Sequence, residues 1–139
     1  MALFYADSSA LVKLVREEPE TSALQSFLAG ADIVSCDLVL TELPRAIRRA
    51  VADDPELPLE RLIDQAGEVL DAIGLIALDR PLLLTAGAFT EPALRTLDAI
   101  HVAAAADAAP LDAFVSYDER QAAAARLAGL RTVRPGSLQ

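Results

Sequence analysis

The stretch "ALFYADSSALVKL" (residues 2–14) joins a short apolar run to a segment with helical spacing, and a charge lies at the junction. The apolar run ends at Asp7, and after Ser8 and Ser9 the apolar residues recur as they do along one face of a helix. Two explanations fit this junction. Asp7 or Ser8 caps the helix by accepting a hydrogen bond from a backbone N–H, or the junction belongs to a binding site at the end of a strand.

The same order of apolar run and helical segment recurs through the chain and predicts an α/β fold. We predict strands at 2–6, 32–35, 74–78, 112–117 and 131–133, and helices at 9–17, 20–29, 39–52, from about 59 to 73, from Pro81, at 96–107 and at 119–128. Gly129 is placed as a helix C-cap. Because each connection carries a helix, the strands should be parallel and covered on both faces. The length fits one domain, residues 1–139, with one substantial core.

Composition narrows the class of protein. Hydrophobic residues make up 53% of the chain and aromatic residues 4%, so the core must consist of Ala, Leu, Val and Ile. The chain shows neither a signal-peptide pattern nor an apolar run of about 18 residues, and we therefore expect a cytoplasmic protein that does not enter the membrane. Cys36 is the only cysteine, which excludes an internal disulfide and a Cys-rich metal site, and we expect it in the core. The net charge of −9 by itself argues against nucleic acid as a partner.

Acidic residues follow the predicted strands, in the order Asp7, Glu42, Asp98 and Asp118. Side chains that follow parallel strands meet at one edge of the sheet, so these four should be neighbours. Asp98 begins an almost entirely apolar helix, which places its carboxylate at the edge of the core, where an unpaired charge is costly. A divalent cation would make such a cluster favourable. Oxygen ligands without Cys and with few His suit Mg²⁺ or Mn²⁺.

Four stretches of the chain resemble a known family: "YADSSALVKL", "LTELPRAI", "LRTLDAIHVAAA" and "FVSYDERQAAAARLAGL". In order and spacing they are similar to the four blocks of PIN-domain ribonucleases, and in particular of the VapC-type toxins of bacterial toxin–antitoxin pairs. The resemblance covers nearly the whole chain. It implies a PIN-like (Rossmann-like) three-layer fold with a five-stranded parallel sheet and a Mg²⁺- or Mn²⁺-dependent endoribonuclease activity. It also implies an RNA substrate, a VapB-type antitoxin as partner, and a homodimer.

The resemblance assigns the candidate site as follows: Asp7, Glu42, Asp98 and Asp118 form the acidic cluster, with Ser8 or Ser9 and Ser116 as polar support. We take Asp7 and Asp98 as the core metal ligands, with Asp118 and Glu42 holding a second metal ion or ordering water. Bound metal would offset the negative charge of the cluster, so that a phosphate could approach it. Arginines such as Arg45 and Arg95 would then bind the RNA.

Two residues near these acids need separate treatment. Pro44 follows Glu42 at a point where the family continues an unbroken helix, and Glu42 keeps its orientation if the helix begins near Thr41, with Pro44 in its first turn. His101 lies three residues after Asp98. A single His in an apolar helix is usually a packed or hydrogen-bonded core residue, and we leave it out of the predicted site.

Two other functions compete with ribonuclease activity. A receiver-type signalling domain also gathers acids at strand ends, but it needs a lysine late in the chain, and Lys13 is the only lysine. A catalytically silent PIN-like module that binds a protein partner or RNA remains the alternative. Mn²⁺ should raise the thermal stability of a metal-binding enzyme and leave a silent module unchanged.

Overall fold

A computed structural model describes residues 1–137 of the chain. Its strands are β1 (Leu3–Ala6), β2 (Asp32–Cys36), β3 (Gly74–Ile76), β4 (Ala113–Val115) and β5 (Thr132–Val133). Its helices are α1 (Ser8–Val15), α2 (Thr21–Leu28), α3 (Val39–Asp53), α4 (Leu59–Asp71), α5 (Arg80–Gly87), α6 (Thr96–Asp107) and α7 (Glu119–Leu127). No helix within this part of the chain is long and apolar enough to cross a membrane.

The five strands form one parallel sheet in the order β3-β2-β1-β4-β5. The predicted α/β architecture is therefore confirmed. The chain moves outward from β1 to β3 on one side and then returns to place β4 on the other side of β1. The strand order thus reverses between β1 and β4, and in sheets of this kind the carboxyl ends at that reversal form the ligand-binding crevice.

The sheet separates two hydrophobic clusters. Helices α1 to α4 pack on one face, where Phe4 joins Leu11 and Leu43, and helices α5 to α7 pack on the other. Phe4 and Tyr5 are consecutive residues of β1 and contribute to opposite clusters, as the alternation of a strand requires. On the second face Tyr5 stacks on Phe114, with ring centroids 5.1 Å apart. Both sheet faces are covered, which leaves the carboxyl edge as the place for a site.

The predicted elements all occur, with differences of at most two residues at their ends. The fourth strand is shorter than predicted at both ends, since it begins after Asp112 and ends before Ser116, whose N–H still donates to the carbonyl of Val133 at 3.2 Å while its hydroxyl donates to Asp7. Gly129 has the predicted role: its φ of +86° ends α7, and the N–H of Leu130 donates to the carbonyl of Ala125 at 3.0 Å. Cys36 is fully buried at the end of β2, as expected.

Pro44 does not lie in the first turn of its helix. Helix α3 begins at Val39, so Pro44 falls in the second turn, where it provides no N–H for the carbonyl of Leu40. The helix nevertheless continues to Asp53. The backbone at Glu42 therefore stays helical, with its N–H donating to the carbonyl of Leu38 at 2.9 Å.

Candidate active site

Asp7 lies at the centre of the site, directly after β1 and at the point where the strand order reverses. Its side chain is 3% exposed. It caps helix α1 by accepting a hydrogen bond from the N–H of Ala10 at 3.2 Å. The capping explanation is thus correct, but it does not account for the burial of a charge at this edge. Most capping residues remain in water, where the charge costs little.

Two serines hold the Asp7 carboxylate from opposite sides. The hydroxyl of Ser9 donates to Oδ1 at 2.6 Å, and the hydroxyl of Ser116 donates to Oδ2 at 2.5 Å. The serines are themselves fixed, since Tyr117 N–H donates to Ser9 and Asp118 N–H donates to Ser116. Of the two serines proposed after β1, the structure brings Ser9 to Asp7. Ser8 instead begins helix α1.

Burial is the main electrostatic influence on Asp7. It raises the pKa of the carboxyl above its usual value, while hydrogen bonds from Ser116 and Ser9, the charge of His101 and the N–H of Ala10 lower it in part. The fold therefore holds Asp7 in a position that disfavours its negative charge when no cation is near. A positive charge at this point would relieve the cost.

This shift in pKa gives a prediction about stability in the absence of metal. A raised pKa in the folded state means that ionised Asp7 destabilises the fold above that pKa, and the loss disappears as pH falls through it. In EDTA near neutral pH we expect Asp7→Asn to melt about 3 °C higher than the parent protein. The difference should shrink as the solution is acidified.

The matched control is Asp79→Asn. Asp79 also caps a helix, accepting from the N–H of Leu82 at 3.0 Å, but it is exposed. This variant should melt at or slightly below the parent temperature. A lower melting temperature for Asp7→Asn at neutral pH would contradict the interpretation.

Asp98 and Asp118 form a second acidic pair on the same edge. Asp98 lies in the first turn of α6, and burial followed by the charge of Asp118 raises its pKa, against the N–H of Arg95 and the guanidinium of Arg120. Asp118 caps α7, accepting from the N–H groups of Arg120 and Gln121 at 3.0 and 3.2 Å. The negative charge of Asp118 therefore disfavours ionisation of Asp98.

Glu42 is the outer end of a chain of hydrogen bonds that runs through His101 to the buried Tyr5. Nε2 of His101 lies 2.7 Å from Oε1 of Glu42, and Nδ1 of the same ring lies 2.8 Å from the hydroxyl of Tyr5. Cys36 Sγ is 3.7 Å from Nδ1. Burial lowers the pKa of His101, but contacts with Cys36 and Glu42 outweigh it, so that the pKa is raised. The contact with His101 fixes Glu42 despite Pro44.

His101 is the residue that the sequence analysis missed. Its expected burial is confirmed, at 3% exposed, yet one of its partners is a candidate catalytic acid. One signal was present in the sequence, because a residue three positions after Asp98 shares its helix face. The partner Glu42 is 59 residues away in the chain, and no local pattern reveals that contact.

The two predicted RNA-binding arginines are both exposed. Arg45 lies on α3 one turn after Glu42, and Arg95 is the N-cap of α6, three residues before Asp98. Within residues 1–137 neither side chain takes part in an ion pair.

The donor set is that of a site for a hard cation. Within residues 1–137 no group of three or more His, Cys, Asp or Glu side chains is placed so that it could hold a metal ion together. The chemistry nevertheless fits Mg²⁺ or Mn²⁺, because the donors are carboxylate oxygens, which retain lone pairs beyond the hydrogen bonds described. The buried carboxylate of Asp7 and the raised pKa of Asp98 both favour an added positive charge.

Comparisons with known proteins identify the family of the chain. The PIN domain model matches residues 4–127. Ribonuclease VapC35 of Mycobacterium tuberculosis is 38% identical over 141 residues, covering 96% of this chain and 98% of the relative.

Two solved structures share the fold. The structure of M. tuberculosis VapC20, titled a Sarcin-Ricin loop cleaving toxin, has a TM-score of 0.71 and 16% identity, over 95% of this chain and 99% of that chain. VapBC2 from Rickettsia felis, bound to a DNA fragment from its promoter, has a TM-score of 0.63 and 15% identity, over 96% and 98%. The chain therefore belongs to the PIN-domain family, among the VapC ribonucleases.

Proposed function

We propose that this chain is a metal-dependent endoribonuclease that acts as the toxin of a toxin–antitoxin pair. The observation that carries the proposal is the position of Asp7, a buried carboxylate held by two serines at the point where the strand order reverses. An arrangement that serves only to cap a helix needs neither the burial nor both serines. Family membership supports the same activity.

The roles of the side chains follow from their surroundings. Asp7 and Asp98 are the proposed core metal ligands, with Asp118 beside them. When bound, Mg²⁺ or Mn²⁺ would lower the pKa of a water molecule and neutralise charge on the phosphate. Ser9 and Ser116 keep the Asp7 oxygens in a fixed orientation. Glu42 is bound to His101 through Oε1, which leaves Oε2 to orient the attacking water.

The proposed partners follow from the family. The related VapBC2 structure contains toxin and antitoxin together, and we propose a VapB-type antitoxin for this chain. We also propose a homodimer, since Leu83 and Leu84 of α5 and Leu97 of α6 are 42%, 64% and 49% exposed. Arg45 and Arg95 are the proposed contacts to RNA beside the acids, and we propose that the protein acts on RNA in the cytoplasm.

Incubation of purified protein with total RNA tests the proposed activity. In Mg²⁺ or Mn²⁺ we expect discrete fragments, and in EDTA none, because the acids cannot hold a phosphate without a cation. Asp98→Asn should remove the fragments. Asp107→Asn is the matched control, since it takes the same charge from the exposed C-terminal end of the same helix, and it should cleave normally.

A melting curve with added Mn²⁺ separates the two candidate functions. The ribonuclease should melt at a higher temperature with metal, and Asp98→Asn should lose that gain. Absence of both cleavage and metal-induced stabilisation would identify a catalytically silent PIN-like module. Fragments that persist in EDTA would show that the acids do not work through a metal.

A further inference from the structure

A small pocket lies next to the acidic site and shares one residue with it. Its volume is about 200 Å³, and its walls come from the end of β4, from α7 and from β5. Ser116, which donates to Asp7, is one of the lining residues. Arg126, Arg134 and Glu119 supply its charges.

One end of the pocket lies at the same edge of the sheet as the acids, since Ser116, Glu119 and Arg134 line it there. Strands β4 and β5 are paired, and the N–H of Ser116 donates to the carbonyl of Val133 at 3.2 Å. Arg134 directly follows Val133, so it leaves the sheet beside Ser116. Glu119 is the first residue of α7 and follows Asp118. Both arginine side chains reach Glu119, and Arg126 also donates to the hydroxyl of Thr132 at 3.1 Å, so its guanidinium lies between Glu119 and β5.

The charges in the pocket are arranged as one acid between two bases. Arg126 Nη2 lies 3.1 Å from Oε1 of Glu119, and Arg134 Nη1 lies 3.1 Å from Oε2. The exposed fraction of the side chain is 50% for Arg126, 35% for Arg134 and 66% for Glu119. Ion pairs with this much exposure contribute little to stability. A guanidinium has five N–H donors, and within residues 1–137 these contacts use only some of them. The pocket therefore carries a net positive charge in a chain of net charge −9.

We propose that Arg126 and Arg134 bind a backbone phosphate of a single RNA strand, next to the bond that the acidic cluster acts on. Planar guanidinium groups recognise phosphate through paired hydrogen bonds. Glu119 holds the two groups in place before RNA binds and yields them to the phosphate. The inference rests on the proposed function. An RNA strand is favoured over an acidic peptide because Ser116, which lines the pocket, also donates to Asp7 in the proposed active site.

Binding of a fluorescein-labelled single-stranded RNA of mixed sequence tests this site. Fluorescence anisotropy is measured with Mg²⁺ in the Asp98→Asn background, which keeps the RNA intact, over a series of salt concentrations. Arg126→Gln and Arg134→Gln should each weaken binding about five- to tenfold and reduce the slope of log Kd against log salt by about 0.7. Glu119→Gln should tighten binding about threefold, because it removes the competing negative charge.

Arg131→Gln is the matched control. Arg131 precedes β5 and contacts the carbonyl of Asp112 at 3.3 Å, at the opposite edge of the sheet. This variant loses the same charge, and its RNA affinity should stay within about twofold of the parent value. Melting curves of all four variants should coincide with the parent curve, since the side chains are exposed.

Several results would overturn the proposal. Equal losses in Arg131→Gln and Arg134→Gln would indicate a general effect of net charge. No change for Arg126→Gln and Arg134→Gln, no tightening for Glu119→Gln, or no binding of RNA at low salt would also exclude the site. The same variants are also tested with a labelled glutamate-rich peptide. If Arg126→Gln and Arg134→Gln weaken binding of the peptide but not of the RNA, the pocket binds an acidic protein segment instead. Cleavage by protein with Asp98 intact is scored separately, so failure of the nuclease assignment remains distinct from failure of the phosphate site.

Discussion

Asp7→Asn is expected to lower RNA cleavage roughly 1000-fold while leaving the protein folded. Asparagine fills the same space and can still cap α1, but it lacks the negative charge with which Asp7 would hold a cation. The same variant is expected to gain stability in EDTA, because burial raises the pKa of Asp7. Loss of activity together with a gain of stability is the signature of a charge that the fold retains for function.

Initial rates of cleavage and melting curves measure the two effects on one preparation. Asp79→Asn makes the same substitution at another helix cap and should retain the parent rate. Cleavage by Asp7→Asn at near the parent rate would remove Asp7 from the metal site and leave it as a capping residue only.

His101→Leu is expected to lower cleavage about 30-fold. Leucine fills much of the same space in the core with an apolar side chain, but it lacks the Nε2 donor that lies 2.7 Å from Oε1 of Glu42. Without it Glu42 can turn toward solvent, since its side chain is 21% exposed. His101→Gln places an amide donor near the position of Nε2 and should recover most of the rate. His101→Asn reaches only the position of Nδ1 and should not.

A double variant shows whether His101 acts through Glu42. Glu42→Gln combined with His101→Leu should cleave no more slowly than Glu42→Gln alone, because the carboxylate that His101 orients is already absent. Melting curves identify any variant whose lower rate reflects unfolding. Multiplied effects in the double variant, or equal rates for Leu and Gln at position 101, would show that His101 has a structural role only.

The fold was predictable from local patterns. Apolar runs followed by helical spacing identified every strand and helix, because both faces of a parallel sheet are buried and each crossover carries a helix. The ends of the elements were less predictable. Ser116 directly follows β4 and its hydroxyl donates to Asp7, a residue 109 positions away, and no property of the neighbouring residues reveals such a partner.

The candidate site was predictable in type but only in part in detail. Acids after strand ends gave the carboxylates, since the topology brings those ends together. The choice between Ser8 and Ser9 depended on which hydroxyl faces β4. That direction is set by the residue at which the first turn of α1 begins, and the sequence placed this residue only to within one position. His101 could not be assigned from its apolar surroundings, because the contact that gives it meaning lies on another helix.

The hydrogen bond between Ser116 and Asp7 has a consequence for the synthesis of the protein. Asp7 emerges near the beginning of translation, whereas Ser116 is made only after four of the five strands. A nascent chain that ends before β4 carries Asp7 but lacks both the strand beside it and one of the two hydroxyls that orient its carboxylate. We therefore expect copies that end before β4 to lack RNA cleavage, so that activity begins only when synthesis is nearly complete.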